Sequence, residues 1–330
     1  MKLRELGEFG LIDRIAGQVP LAPGVLIGIG DDAAAVENTP GRCSLVTSDM
    51  LVEGIHFDLG LCDPESLGRK SLAVNLSDIA AMGGRPRYFL LSLALPRDLP
   101  MEFLDGFTRG LLSMAGEFDA TLIGGDTCAS GGGLVISITV MGEQVPGQVI
   151  TRGGARPGDL IFVTGTLGDS ALGLRLLRSG VRTGSASRKH LDPFPRVREG
   201  LALADAGIPT AMIDVSDGLL ADLGHILELS RVGARIDLNR VPLSESFLGH
   251  TFDPGEDPYL LPLAGGEDYE LLFTAPPAKL DAAGELLTRL GMRLSMVGEI
   301  TADSGLNVVA TDGSPYLPAM SGYDHFSSVN

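Results

Sequence analysis

The chain has 330 residues, 44% of them hydrophobic, and a formal net charge of −17. That length exceeds what one core usually fills, so two domains are expected, and the apolar content excludes a disordered chain. The acidic balance argues against nucleic acid and anionic membrane as partners, while three cysteines without CxxC spacing argue against structural zinc and a disulfide framework.

The opening MKLRELGEFGLIDRIAG mixes charges with apolar residues at helical spacing and is not expected to be a signal peptide. The longest apolar runs, such as 88–95, are strand-length and far short of the roughly 18 residues a membrane span needs. A soluble cytoplasmic protein is therefore expected. Strands are predicted at 25–29, 45–47, 88–95, 121–123 and 134–141, with helices over 64–81 and 101–118 between them. Pro146, Gly147, Gly153, Gly154, Pro157 and Gly158 form the densest punctuation in the chain, which predicts domains of 1–145 and 146–330. The second half then reads as strand 160–164, helix 170–178, loop 179–190, helix 196–206, strand 211–215, helix 219–230 and strand 269–273. GTLGDSALG is read as a helix cap with Asp169 at the N-terminal end, and His190, His225 and His250 as structural or surface residues.

One local device recurs: small residues lead into an acid near a strand or helix end. It appears as GIGDD (Asp31, Asp32), TSD (Asp49), LSD (Asp78), GGDT (Asp126), DVSDG (Asp214, Asp217) and GGEDYE (Glu267, Asp268). Glycine lets a phosphate or metal approach the backbone, and a carboxylate is a hard oxygen ligand. Mg²⁺ takes only one or two carboxylates, so this many clusters suggest more than one ion if they converge. Each cluster alone also reads as a turn or helix cap. The adjacent Asp31 and Asp32 repel each other unless a cation compensates. There is no GxxxxGK[ST], no GxGxxG opening a helix, and no HRD or DFG, so ATP would not be held by a P-loop or protein-kinase site.

In order along the chain, GEFGLIDRI, GIGDDAAAV, TSDMLVEGIHF, KSLAVNLSDIAAMGGRP, LIGGDT, ITRGGARPGDLIFVTGTLGDSALGL, IDVSDGLLADLGHI, GARIDL, LAGGEDYELLF and GYDHF resemble the thiamine-monophosphate kinase family over nearly the whole length. That family sits in a superfamily with aminoimidazole ribonucleotide synthetase. The resemblance implies a two-domain α/β fold of the aminoimidazole ribonucleotide synthetase type. In it the N-terminal sheet pairs across a homodimer into a barrel, the C-terminal α/β domain packs alongside, and ATP lies in the cleft. The implied reaction is ATP plus thiamine phosphate giving ADP plus thiamine diphosphate, with several Mg²⁺ ions.

Matched residue by residue, the resemblance implies Asp32, Asp49, Asp78, Asp126, Asp214 and Asp217 as magnesium ligands, with Thr47 and Ser48 adding oxygen beside Asp49. Asp31 matches as well, ranked below Asp32. Gly125, Asp126 and Ser216 are implied ATP contacts, and Arg152 the cation that meets the phosphates. His56 and Glu267 match substrate contacts. An aromatic is expected shortly before GYDHF to stack on the substrate. Met320 stands there instead, so either Met320 packs on the ring or Tyr323 does. Two alternatives stay open on sequence alone: an ATP-dependent enzyme of the same superfamily with another acceptor, and a non-catalytic Mg-nucleotide-binding protein.

Overall fold

The structure, a computed structural model, describes residues 3–20, 22–30, 33–310, 312–320 and 322, and only the backbone of 3–9. Contacts divide the chain into two units, 1–79 with 84–147, and 80–83 with 148–330.

The first unit begins with α1 (Leu3–Ala16) and a short ribbon of β1 (Val25–Ile27) and β2 (Ala35–Val36). There follow β3 (Cys43–Val52), α2 (Pro64–Ala81), β4 (Arg85–Pro96), α3 (Met101–Glu117), β5 (Thr121–Ser130) and β6 (Val135–Gln144). The last four strands form one sheet in the order β3-β6-β4-β5, antiparallel except for the β4–β5 pair. A parallel pair needs a crossover, and α3 supplies it. Helix α2 lies on the sheet: a Cβ at Gly142 of β6 would stand 2.8 Å from Ile79 Cγ2. The two helices meet backbone to backbone, since a Cβ at Gly110 would stand 1.9 Å from Glu65 O. Along β3 the side chains alternate as a pleat requires. Leu45 and Leu51 are buried, while Val46 and Met50 on the other face are 65% and 57% exposed.

Strands β3 and β5 run well past the predicted 45–47 and 121–123. In β3 the inward positions 47 and 49 are Thr and Asp, which breaks the apolar count. In β5 the Gly124-Gly125-Asp126 step reads as a turn but is extended backbone paired with β4. Only glycine fits there, because a Cβ at Gly125 would stand 1.8 Å from Leu91 O.

The second unit contains β7 (Leu160–Thr164), α4 (Asp169–Arg178), α5 (Ser185–Leu191), α6 (Val197–Asp205), β8 (Ala211–Asp214), α7 (Leu219–Ser230) and β9 (Gly233–Asp237). It continues with α8 (Glu245–Leu248), α9 (Leu260–Ala264), β10 (Leu271–Ala275), α10 (Leu280–Arg289), β11 (Leu294–Thr301), β12 (Gly305–Val309) and β13 (Pro315–Tyr316). Seven strands form an open sheet in the order β13-β12-β9-β11-β7-β10-β8, in which only β9 and β12 run parallel. Its central strands are apolar on both faces. Ile161, Val163, Ile213 and Leu272 pack with Leu219, Leu223 and Ile226 of α7. Phe162 and Phe273, which alternate with them, stack at 5.2 Å. One expectation is corrected here. The segment 179–190 is not all loop, because α5 occupies its second half. GTLGDSALG does lead into α4, with Gly168 as the N-cap and Asp169 at the N-terminal end as expected, although no side chain closes the cap. The Asp169 carboxylate accepts from Thr166 Oγ1 and Ser244 Oγ and pairs with Lys189, while Asp268 accepts from the Gly168 and Ser170 N–H groups. Among the described residues no sheet closes into a barrel, and no helix is long and apolar enough to cross a membrane.

Candidate functional site

In the first unit, three of the matched residues meet over one face of the sheet. Thr47 and Asp49 point inward from β3, and Asp78 reaches them from α2, accepting from Thr47 Oγ1 at 2.5 Å. Asn75, one helical turn earlier, accepts from the Asp49 N–H at 3.0 Å and fixes the strand against the helix. Burial first, and then the Asp78 charge, push the Asp49 carboxyl up to about 6. Two carboxylates held this close lower their energy by sharing a cation.

Ser48 does not join them. It lies on the opposite face of β3, with Oγ 3.0 Å from Thr139 Oγ1 of β6. Asp126 is exposed on β5, at the other edge of the sheet from β3. Three strand spacings, about 14 Å, separate the two edges. His56 sits in the turn after β3, where the Val52 N–H donates to its Nδ1 at 3.0 Å. A neutral ring bonded in that way carries its hydrogen on Nε2. Asp31 and Asp32 lie outside the described residues.

The second unit gathers the other matched acids at the end of β8. Asp214 is buried as the last residue of that strand, and Ser216 and Asp217 form the loop into α7. Asp222, in the first turn of α7, folds back beneath this loop. Its Oδ2 accepts the N–H groups of Ser216, Asp217 and Gly218 at 3.0–3.1 Å. Burial, then the charges of Asp214 and Asp217, push the Asp222 carboxyl up to about 8, although the Asp217 and Gly218 N–H groups pull the other way. The loop also receives the GGEDYE segment: Glu267 N–H donates to Ser216 O and Tyr269 N–H to Val215 O. Both residues have left-handed backbones, φ +58° and +50°, which is unfavourable for side chains with a Cβ. Glu267 Oε2 lies 3.2 Å from His190 Nδ1.

Arg152 is exposed in the loop before β7, its carbonyl accepting from Ser230 Oγ at 3.3 Å. Near the C-terminus a Cβ at Gly322 would stand 3.1 Å from Asp217 O, so the chain passes beside the β8–α7 loop. Met320, two residues earlier, is half exposed. Tyr323 lies outside the described residues.

The donors at both places are carboxylate and hydroxyl oxygens, the set that suits Mg²⁺. Among the described residues no group of three or more His, Cys, Asp or Glu stands ready to enclose a metal. Pairs of carboxylates fit an ion that completes its shell with water and phosphate oxygens, so the residues present fit magnesium bound together with a nucleotide. Sequence reasoning missed Asp222 and Asn75, and it grouped Asp268 with the recurring acids without foreseeing that it holds the start of α4. Asp222 follows DVSDG at a spacing that reads as an ordinary acid in the first turn of a helix, and Asn75 reads as one more polar residue of α2.

Residues 30–144 match the family model for the N-terminal domain of AIR synthase related proteins, and residues 156–311 match the model for the C-terminal domain. The thiamine-monophosphate kinase of Escherichia coli K12 is 42% identical over 330 residues, covering 98% of this chain and 99% of that one. The crystal structure of thiamine-monophosphate kinase from Stenotrophomonas maltophilia K279a superposes with a TM-score of 0.84 at 40% identity, over 94% of this chain and 98% of the other. The structure of AaThiL complexed with AMPPCP and TMP gives 0.76 at 35% identity over 99% of each chain. The two-domain α/β fold of the AIR synthase type expected from the motifs is thus the fold found. The chain belongs to the thiamine-monophosphate kinase family.

Proposed function

We propose that this chain transfers the γ-phosphoryl group of ATP directly to thiamine monophosphate, giving ADP and thiamine diphosphate in the last step of making that cofactor. The solved structure of the relative AaThiL is of its complex with AMPPCP, an ATP analogue, and TMP. In this chain the carrying observation is the pair of crowded acidic sites, Thr47 and Asp49 beside Asp78 in the first unit and Asp214 and Asp217 around Asp222 in the second. Such sites ask for cations, and Mg-ATP brings them.

The acceptor needs no general base. A phosphomonoester loses its second proton near pH 6, so its oxygen is already an anion at neutral pH. The obstacle is repulsion between two anions, and the protein's task is to neutralise and align them. The proposed metal ligands are Asp32, Thr47, Asp49, Asp78 and Asp126 from the first unit and Asp214 and Asp217 from the second. Ser48 is retained only through its main chain, since its hydroxyl faces Thr139. Mg²⁺ held there would neutralise phosphate charge and draw electrons from the transferring group. Gly125 and Ser216 offer close backbone approach to ATP, and exposed Arg152 meets its phosphates. His56, with its hydrogen on Nε2, donates to the acceptor phosphate. Glu267 pairs with the cationic thiazolium or the aminopyrimidine, and Met320 or Tyr323 covers the rings.

The first unit, which carries most of these ligands, also forms the homodimer in this reading. What supports it is the uncovered sheet face carrying Val46 and Met50, which is unusual for a lone soluble domain. Pairing two such sheets into a barrel would bury it. A cytoplasmic location accords with the substrates.

Asp214→Asn and Asp126→Asn test the assignment. With thiamine monophosphate, ATP and Mg²⁺, each variant is expected to lose at least about 100-fold in turnover while keeping the wild-type circular dichroism spectrum. Near-normal turnover in both would remove the metal role.

A further inference from the structure

The GGEDYE turn is held far more firmly than a loop requires. Three backbone bonds fasten it to Val215 and Ser216, and Asp268 holds the first N–H groups of α4. Glu270 closes a bidentate pair with Arg196 at 2.6 and 2.7 Å. Left-handed backbone at Gly266, Glu267 and Tyr269 persists because all of these anchors act together. What the strained turn does is aim one side chain, Glu267.

That side chain ends on a histidine that nothing so far has used. His190, on α5, is 7% exposed, and its Nδ1 lies 3.2 Å from Glu267 Oε2 and 3.0 Å from Ser170 Oγ. An ionised carboxylate only accepts, so the tautomer with a hydrogen on Nδ1 is the one in which His190 holds it. The helix that carries His190 is itself fixed. Neighbouring Lys189 donates to Asp169 and Thr166 at 2.8 and 2.6 Å, and Ser170, at the start of α4, joins His190 to the same anchor as Asp268. We infer that His190 is a positioning residue for thiamine-phosphate recognition, holding the Glu267 carboxylate in the orientation in which it meets the cationic acceptor.

This rests on Glu267 contacting the acceptor, as proposed above. His190 acts through Glu267, so its loss should weaken binding of thiamine monophosphate and leave ATP alone. A structural role alone would disturb both substrates, or neither.

The test is steady-state kinetics on Glu267→Gln, His190→Leu, His190→Asn and the Glu267→Gln/His190→Leu double variant. His190→Leu is expected to raise KM for thiamine monophosphate about tenfold, the scale of one hydrogen bond to a charged group. KM for ATP should stay within about twofold. His190→Asn places an amide N–H where Nδ1–H stood and should recover most of the loss. In the Glu267→Gln background, His190→Leu should add less than about twofold, because the two residues act as one unit. If His190→Leu does not fold, His190→Gln replaces it, since its amide reaches the Nε2 position and not Nδ1. A wild-type KM in the leucine variant, equal rises for both substrates, or a full tenfold added to Glu267→Gln overturns the positioning role alone. An unchanged KM in Glu267→Gln removes the acceptor contact itself, and the inference with it.

Discussion

Asp222 is where a single residue reveals most about the site. It accepts three backbone N–H groups beneath its own loop, yet burial first, and then the charges of Asp214 and Asp217, push its carboxyl up to about 8. A carboxyl whose folded-state pKa exceeds its unfolded value near 3.9 binds its proton more tightly when folded. That stabilisation is complete below about pH 4 and is lost as pH rises through about 8. Metal-free protein should therefore melt at lower temperature as pH goes from 5 to 8. Asp222→Asn lacks this titration, so its melting curve in EDTA should fall less steeply, by at least about 2 °C over that range. Parallel slopes for the two proteins would contradict the picture of a repulsive carboxylate cluster. Buried Asp49 and Asp268, pushed up to about 6 and about 7, contribute to the slope of both proteins alike. In the sequence the acids Asp214 and Asp217 stood out through their glycine and serine neighbours, whereas Asp222 looked like any first-turn acid. Its role depends on the loop folding back over it, which spacing alone does not encode.

Among the elements, β3 carries two functions on its two faces. Its inward residues Thr47 and Asp49 belong to the acidic site, and its outward residues Val46 and Met50 belong to the proposed dimer. The alternation that defines a strand thus explains why the predicted strand was too short: polar residues on the buried face look like a break in the pattern. The β5 segment misled for the opposite reason, because its glycines serve close strand pairing and not a turn. Helix α5 was hidden in a run of Gly, Ser and Arg, yet it delivers His190 to the GGEDYE turn and Lys189 to Asp169 and Thr166. Strongly patterned elements such as α2, β7 and α7 were legible, since their apolar periodicity matches their burial. For the outward face of β3, the expectation is that Val46→Lys with Met50→Glu yields a folded monomer by sedimentation velocity, and the wild type a dimer. A dimeric variant, or a monomeric wild type, would remove that face from the assembly.

At the scale of the molecule, the charge of −17 first counts against a polyanionic substrate. The crowded carboxylates of each unit turn that objection around, because they are places where cations lower the energy and ATP arrives with cations bound. The motif order made the family legible over nearly the whole chain, and the family models and relatives match over the same span. The ring-recognition end stayed less legible, since Met320 stands in place of an aromatic. The direct test follows the phosphoryl group itself. Wild-type protein is incubated with γ-³²P-labelled ATP, thiamine monophosphate and Mg²⁺, and the products are separated. Direct transfer puts label in thiamine diphosphate, with one ADP for each, and none without Mg²⁺. Label released only as inorganic phosphate, with no thiamine diphosphate formed, would contradict it.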